Sequence, residues 1–319
     1  MSGLNIIVIG CNPMTRKGIE AILSLSSCNL VGIIMLSPQA AIGKANYDPM
    51  PEIAKQFASI TLFTHDINSL EVREWISGKN PDVLLQLGWS QIFSKEVLTL
   101  PRLFCLGVHP APLPVGRGAA VINWKIIEGG GDWGVSLFIM EPKTDTGDIL
   151  DFEPFIIEPR DDVYTAFCKV DNATVKMLAR TLPRFADGTY CREKQDKTNA
   201  TRYFKRKPED GKLDINWDVD KCVRFIRALT HPYPGAFLLI NNEKNEKLLV
   251  WSAEKGKITE TGAQPGTILK IIQGEGLLIQ VGEHSTLLIK WVTPANGLEC
   301  WADEWALECG YKEEMNVFI

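Results

Sequence analysis

Short aliphatic runs of strand length recur along the first half of the chain, and segments with helical spacing separate them. Leu4 to Ile9, closed by Gly10, then Leu30 to Met35 and Asp82 to Leu87 read as strands. Near-continuous apolar runs of this length belong to strands covered on both faces of a parallel sheet. Helix-like stretches lie at Thr15 to Leu25, Pro51 to Phe57 and Asn68 to Ile76. A further apolar run, Leu103 to Val108, ends at His109; an alternating segment covers Val135 to Met140, and Leu150 to Ile157 reads as another strand. Asp161 to Phe185 is a long helix pattern with Ala166, Val170, Ala173, Val175, Met177 and Leu178 on its apolar side. Strand and helix alternating in this way predict an α/β domain on a mostly parallel, Rossmann-like sheet with helices on both faces.

The pattern changes after Tyr203. One helix, Val219 to Leu229, is followed by short β-rich runs at Gly235 to Ile240, Lys247 to Trp251, Gly266 to Ile272, Gly276 to Val281 and Thr286 to Trp291. Such runs, separated by turn residues, predict a small OB-like barrel or sandwich with one helix. The polar stretch Ala186 to Thr201, with its Asp187-Gly188 turn, places the linker there or just after it, near Lys205. We therefore expect a larger domain over residues 1–203 and a smaller one over 204–319.

At 319 residues, 45% hydrophobic and 23% charged, the chain has the composition of a soluble globular protein. A net charge of −5 gives no general electrostatic case for nucleic acid. The eight cysteines contain no Cys-x-x-Cys pair and read as reduced thiols of a cytoplasmic protein. The start, MSGLNIIVIG, lacks the basic opening of a signal peptide, and no apolar stretch is long enough to span a membrane. The four histidines have no metal-ligand spacing, so no metal is expected. A homodimer is the default assembly.

The first strand and helix invite a dinucleotide reading. However, Gly10-Cys11-Asn12-Pro13 lacks the second and third glycines of the phosphate cradle, leaving a structural turn. The chemistry is concentrated between Cys105 and Leu150. There a histidine leaves a buried strand, a proline-broken loop from Pro110 to Gly118 carries Arg117, a helix start carries Asn123 and Trp124, and Asp145 follows His109 by 36 positions. An imidazole and a carboxylate at strand ends are tools for moving protons in acyl transfer. A lone His-Pro or Asp-x-Gly would mean little: histidines are more often satisfied core groups, and aspartates favour turns for local hydrogen bonds.

The ordered set His109-Pro-x-x-Leu113-Pro-x-x-Arg117-Gly, then Asn123-Trp124, then Asp145-Thr-Gly-Asp-Ile resembles the formyltransferases that use N10-formyltetrahydrofolate. The resemblance covers nearly the whole chain. Its C-terminal wording, Arg206-Lys-Pro-Glu-Asp-Gly and Arg227-Ala-Leu-Thr-His-Pro-Tyr-Pro-Gly, is closest to the enzymes that formylate nucleotide-linked amino sugars of surface polysaccharides. The resemblance implies that His109 and Asp145 are catalytic and that Asp148 is structural. It also implies that Gly88, Trp89, Gln91, Ile92 and Thr144 border the folate. A glycine turn with apolar walls suits a pterin, whose edge backbone groups can read.

Arg117, Asn123 and Trp133 are the substrate-side candidates. A guanidinium fork suits an anion, although an exposed loop arginine is as common. Arg206, Arg227 and Tyr233 are weaker candidates. The Ser37 to Met50 loop carries one lysine and one aspartate, whereas tRNA-specific members carry a basic insertion there.

One departure stands out. The family has Asn-x-His, and this chain has Gly107-Val108-His109. The missing amide is an oxyanion donor, and losing such a donor costs on the order of 10²–10³ in rate. Three readings stay open: another donor serves (a backbone N–H, a water or the Asn123 amide), the enzyme is slow, or the protein binds without catalysis. The function expected is formyl transfer to an amino sugar. The alternatives are methionyl-tRNA formylation, a folate or nucleotide-sugar binder, and release of formate by hydrolysis.

Overall fold

The structure is a computed structural model that describes residues 3–258 and 262–319. The chain divides into two compact units. One runs to Val121 and takes in Gly131–Ile157 and Phe167–Phe204; the other holds Ile122–Gly130, Glu158–Ala166 and the chain from Lys205.

In the first unit β1 (Leu4–Gly10) leads into α1 (Pro13–Leu23). The helix starts where it does because Asn12 accepts from the Thr15 backbone while Thr15 bonds back, a capping box, and Pro13 fits the first turn. Next come β2 (Cys28–Leu36), α2 (Pro51–Gln56), β3 (Thr61–Thr64), α3 (Leu70–Gly78), β4 (Val83–Leu87), α4 (Lys95–Leu98) and β5 (Phe104–His109). The two-residue β6 (Arg117–Gly118), then α5 (Val121–Ile127), β7 (Gly131–Ile139), β8 (Ile149–Ile157), α6 (Val163–Ala186) and β9 (Arg202–Tyr203) follow, with α5 from Ile122 on and the first turn of α6 belonging to the second unit.

The main sheet has the order β3-β2-β1-β4-β5-β7-β8. Pairings from β3 through β5 are parallel, and β7 and β8 join antiparallel as a hairpin. Strand order reverses between β1 and β4, where Gly10 pairs with Leu87, and open α/β sheets place ligands at such a point beyond the carboxyl ends. Beneath it lies an apolar cluster that includes Ile7, Ile9, Ile34, Leu84, Trp89 and Phe93.

The chain changes unit between Phe204 and Lys205, and the polar stretch before that point is packed. Glu193 exchanges two 2.8 Å backbone bonds with Ile149, β9 pairs with β6, and Gln195 is 8% exposed.

In the second unit α7 (Val219–Leu229) precedes β10 (Ala236–Leu239), β11 (Lys247–Lys255), β12 (Ile268–Ile272), β13 (Gly276–Val281), β14 (Ser285–Pro294), β15 (Cys300–Trp301) and α8 (Ala302–Glu308). These strands form an antiparallel sheet ordered β10-β11-β14-β13-β12, with β15 on β14. The final residues lace its two edges. Ile319 N–H donates to Leu239 O and Asn241 N–H to Val317 O on one side; Val317 N–H donates to Gly266 O and Ile268 N–H to Met315 O on the other. The expectation of a single helix in this module missed α8.

Arg224 and Arg227 reach from α7 to the carbonyls of Ile127 (3.1 Å) and Asp161 (2.7 Å). These bonds bind the two inserted segments, 122–130 and 158–166, into this unit. No helix among the described residues is long and apolar enough to cross a membrane, and all eight cysteines are free.

Candidate active site

His109 is the last residue of β5, and its buried ring is held on both sides. Nε2 lies 2.7 Å from the Gly116 carbonyl oxygen. A carbonyl only accepts, so Nε2 carries the proton. Nδ1 faces Asp145 Oδ1 at 3.9 Å. That is too long for a direct hydrogen bond, yet one nitrogen beside the pair reaches both atoms at about 2.8 Å.

The Asp145 carboxylate is fixed from its other oxygen, which accepts Gly118 N–H at 2.8 Å. Its backbone sits at φ +59°, a left-handed region that side chains with a Cβ disfavour, aspartate less than most.

The proline-broken loop is braced from β7. Ser136, which pairs with His109 across the strands, accepts Leu113 N–H at 3.1 Å and donates to Ala111 O at 2.8 Å. Trp133 donates its indole N–H to Pro110 O at 2.7 Å and is 6% exposed. It is a brace under the loop rather than an open wall for a substrate.

Arg117 departs from the anion grip expected of it. It is 8% exposed, and both Nε (3.1 Å) and Nη2 (2.6 Å) donate to Gln195 Oε1. Asn123 belongs to the second unit, is 1% exposed, and gives its Nδ2 to Ala228 O at 2.7 Å. Its Oδ1 is buried without a hydrogen-bond partner among the described residues.

The backbone donors of the loop are also spent. The N–H groups of Ala111, Leu113, Val115, Gly116, Arg117, Gly118 and Ala119 all have protein acceptors, and residues 110, 112 and 114 are prolines. At Gly107 no room remains: a Cβ would lie 2.8 Å from two Phe138 ring atoms and 3.1 Å from Met140 Cγ. Of the donors considered from the sequence, the N–H groups of this loop are therefore committed to protein acceptors.

The turn after β4 carries the folate candidates. Gly88 has φ +79°, and a Cβ there would lie 2.0 Å from Asn12 Nδ2, so only glycine fits. Trp89 is 6% exposed, and its indole N–H is buried without an acceptor among the described residues. Ile92 is 67% exposed, and Thr144 is half-buried beside Asp145.

The exposed Gln91 side chain braces its own loop. It accepts Ile67 N–H at 2.9 Å and donates to His65 O at 3.2 Å, while Asn68 bonds Ile92 O and Ser94 N–H from the same loop. Burial pushes the Cys11 thiol up, against the pull of Lys44, and pushes Cys105 up to about 12, so neither presents a thiolate. Among the described residues no group of three or more His, Cys, Asp or Glu is placed to hold a metal ion.

Sequence reasoning missed Gln195, Thr201, Ser136 and Asn68. Each is an ordinary polar residue whose role depends on a partner distant in the chain.

A strand-end histidine and a turn aspartate beneath a proline-rich loop form a candidate proton-transfer pair on a Rossmann-like sheet. The chain belongs to the formyl transferase family: the family's catalytic model matches residues 4–182 and the model of its C-terminal domain matches 205–309.

Among its relatives is the methionyl-tRNA formyltransferase of Bacillus subtilis, 30% identical over 247 residues, spanning 77% of this chain and 76% of that protein. The bifunctional polymyxin resistance protein ArnA of Wigglesworthia glossinidia brevipalpis is 27% identical, over 83% of this chain and 40% of that one. Among solved structures, HypX from Aquifex aeolicus in complex with tetrahydrofolic acid matches all of this chain with a TM-score of 0.66 at 17% identity; this chain spans about half of HypX, 51%. WlaRD, a sugar 3N-formyl transferase solved with dTDP and 5-N-formyl-THF, covers 93% of this chain and 100% of its own, with a TM-score of 0.62 at 14% identity.

Proposed function

We propose that the protein transfers the formyl group of N10-formyltetrahydrofolate to the primary amine of a nucleotide-linked amino sugar. The observation that carries the reaction is the His109–Asp145 pair, 3.9 Å apart at the end of β5 in a chain of this family. The turn at Gly88, the unpartnered Trp89 indole N–H and the exposed Ile92 fit a pterin with an apolar flank and a hydrogen-bonding edge.

The amine nitrogen sits beside the pair and attacks the formyl carbon, and Asp145 takes its proton. As negative charge grows on the formyl oxygen, His109 Nε2–H leaves the Gly116 carbonyl for it, because a hydrogen bond to a charged acceptor is the stronger one. The carbon–N10 bond then breaks, the proton passes to N10, and tetrahydrofolate and the formamide leave.

The choice of amine rests on charge. An acceptor stem needs a cationic surplus, whereas the chain is −5 overall and residues 205–319 carry 14 lysines and arginines against 17 aspartates and glutamates. The full-length likeness to a sugar formyltransferase supports the same choice. A second reading, methionyl-tRNA formylation, is favoured by the 30% identity to the Bacillus subtilis enzyme.

The test is incubation of the full chain with 10-formyltetrahydrofolate and a panel of UDP-, dTDP- and GDP-linked amino sugars, with charged initiator tRNA in parallel. Product is read as the mass gain of one formyl group. Transfer to a sugar is expected, with loss in His109→Ala and Asp145→Asn. Transfer to tRNA alone selects the second reading. Formate release without an amine, or folate binding without product, removes both.

A further inference from the structure

We propose that Gln195 is a positioning residue that sets the Asp145 carboxylate against His109. The proposal rests on the formyl-transfer reading above for its kinetic arm only. Gln195 comes from the polar stretch between α6 and β9, is 8% exposed, and uses its whole amide. Its Nε2 donates to Asp145 O at 3.0 Å and to Gly147 O at 2.7 Å. Its Oε1 accepts Arg117 Nε and Nη2. The amide has two donors and two acceptor sites, and all four are used.

These bonds bridge the two pieces of backbone that must stay in register. Arg117 precedes Gly118, whose N–H holds Asp145 Oδ2. Asp145 and Gly147 flank the turn that points the carboxylate at His109. Asp145 sits at φ +59°, a left-handed conformation that favours glycine and is tolerated by aspartate, and the Gln195 bonds to the carbonyls of Asp145 and Gly147 hold this turn in place. Without Gln195 the carbonyl of Asp145 loses its anchor, and the carboxylate is free to turn away from Nδ1 of His109. Gln195 itself touches neither of these side chains, so its effect passes through the backbone.

The competing role is a partner for the buried Arg117 guanidinium. Gln195→Glu separates the two. A carboxylate satisfies Arg117 better than an amide does, but it has no proton for the carbonyls of Asp145 and Gly147. Gln195→Ala removes both functions.

The experiment measures kcat and KM for 10-formyltetrahydrofolate, thermal unfolding, and amide hydrogen exchange at Gly118 in the full chain. We expect Gln195→Glu to unfold within a few degrees of the parent and to lose about 10- to 100-fold in kcat, since misplacement by about 1 Å costs that much. KM for the folate stays within about twofold, because the lost interaction is felt only in the transition state. Gly118 exchange accelerates at least tenfold in both variants.

A Gln195→Glu variant with parental kcat and parental Gly118 exchange overturns the proposal. If the parent protein transfers no formyl group, the functional reading fails alone, and Gly118 exchange still decides the role of Gln195: acceleration supports it and parental exchange removes it.

Discussion

Gly107→Ala tests whether the space beside His109 is full. In most strands a glycine replaced by alanine at an ordinary φ stabilises by about 0.4–1 kcal/mol, through the unfolded chain. Here Gly107 lies opposite Phe138 in the β5–β7 ladder. The added methyl would meet ring atoms Cε1 and Cζ at 2.8 Å and Met140 Cγ at 3.1 Å. Phe138 is 4% exposed, so its ring has no solvent to retreat into. Forcing extra carbon into a filled core costs about 1–3 kcal/mol, which outweighs the gain.

We therefore expect a net loss of about 1–2 kcal/mol, or roughly 2–8 °C in Tm for a unit of this size. Calorimetry on the full chain reads it directly. Phe138→Leu in the same chain removes the ring edge, and the double variant should recover with a coupling of about 0.5–3 kcal/mol, as contacting residues do. A Gly107→Ala protein that melts above the parent would refute the packing argument. The same geometry predicts that Gly107→Asn alone does not accelerate transfer, because its amide has nowhere to sit until Phe138 is shortened.

Three further outcomes are expected. Burial pushes the Asp171 carboxyl up to about 6, against the pull of Lys17; a carboxyl raised in the folded state contributes stability below about pH 4 that is lost as pH rises through 6. Asp171→Asn should thus raise Tm at pH 7–8 and leave it unchanged near pH 4, and equal shifts at both would count against the assignment. Trp89→Phe keeps the apolar wall and removes the indole N–H, so KM for 10-formyltetrahydrofolate should rise about 5- to 10-fold at constant kcat, the worth of one hydrogen bond; an unchanged KM means that this N–H does not meet the folate. Removing residues 315–319 exposes the backbone of β10 and β12, and edge strands so exposed associate; light scattering should detect aggregates that the full chain does not form.

The sheet was legible because its signal is local. Leu4–Gly10, Val83–Leu87 and Phe104–His109 are apolar runs whose burial their composition dictates. Thr61–Thr64 and Lys95–Leu98 escaped, being four residues each and too short to show a period. Ala302–Glu308, seven residues with two acidic ones in its first turn, also escaped.

In the site, His109 and Asp145 were readable as an ordered motif. Arg117 was readable as present but not as occupied, since the residue that occupies it lies 78 positions away. At Asn123 the motif marks a helix start, whereas the bond from its Nδ2 to Ala228 O joins residues 105 positions apart. The filled space at Gly107 depends on Phe138, a residue of another strand, and no pattern along the chain encodes that meeting.

The path of the chain through its two units bears on how such proteins exchange parts. The backbone passes from one unit to the other at five places, between residues 121 and 122, 130 and 131, 157 and 158, 166 and 167, and 204 and 205. A recombination event at the last of these would carry away α7 but leave behind the carbonyls of Ile127 and Asp161 that Arg224 and Arg227 require. Chimeras made by a single splice near 204 should therefore keep these bonds only where the host's own backbone follows the same path through segments 122–130 and 158–166.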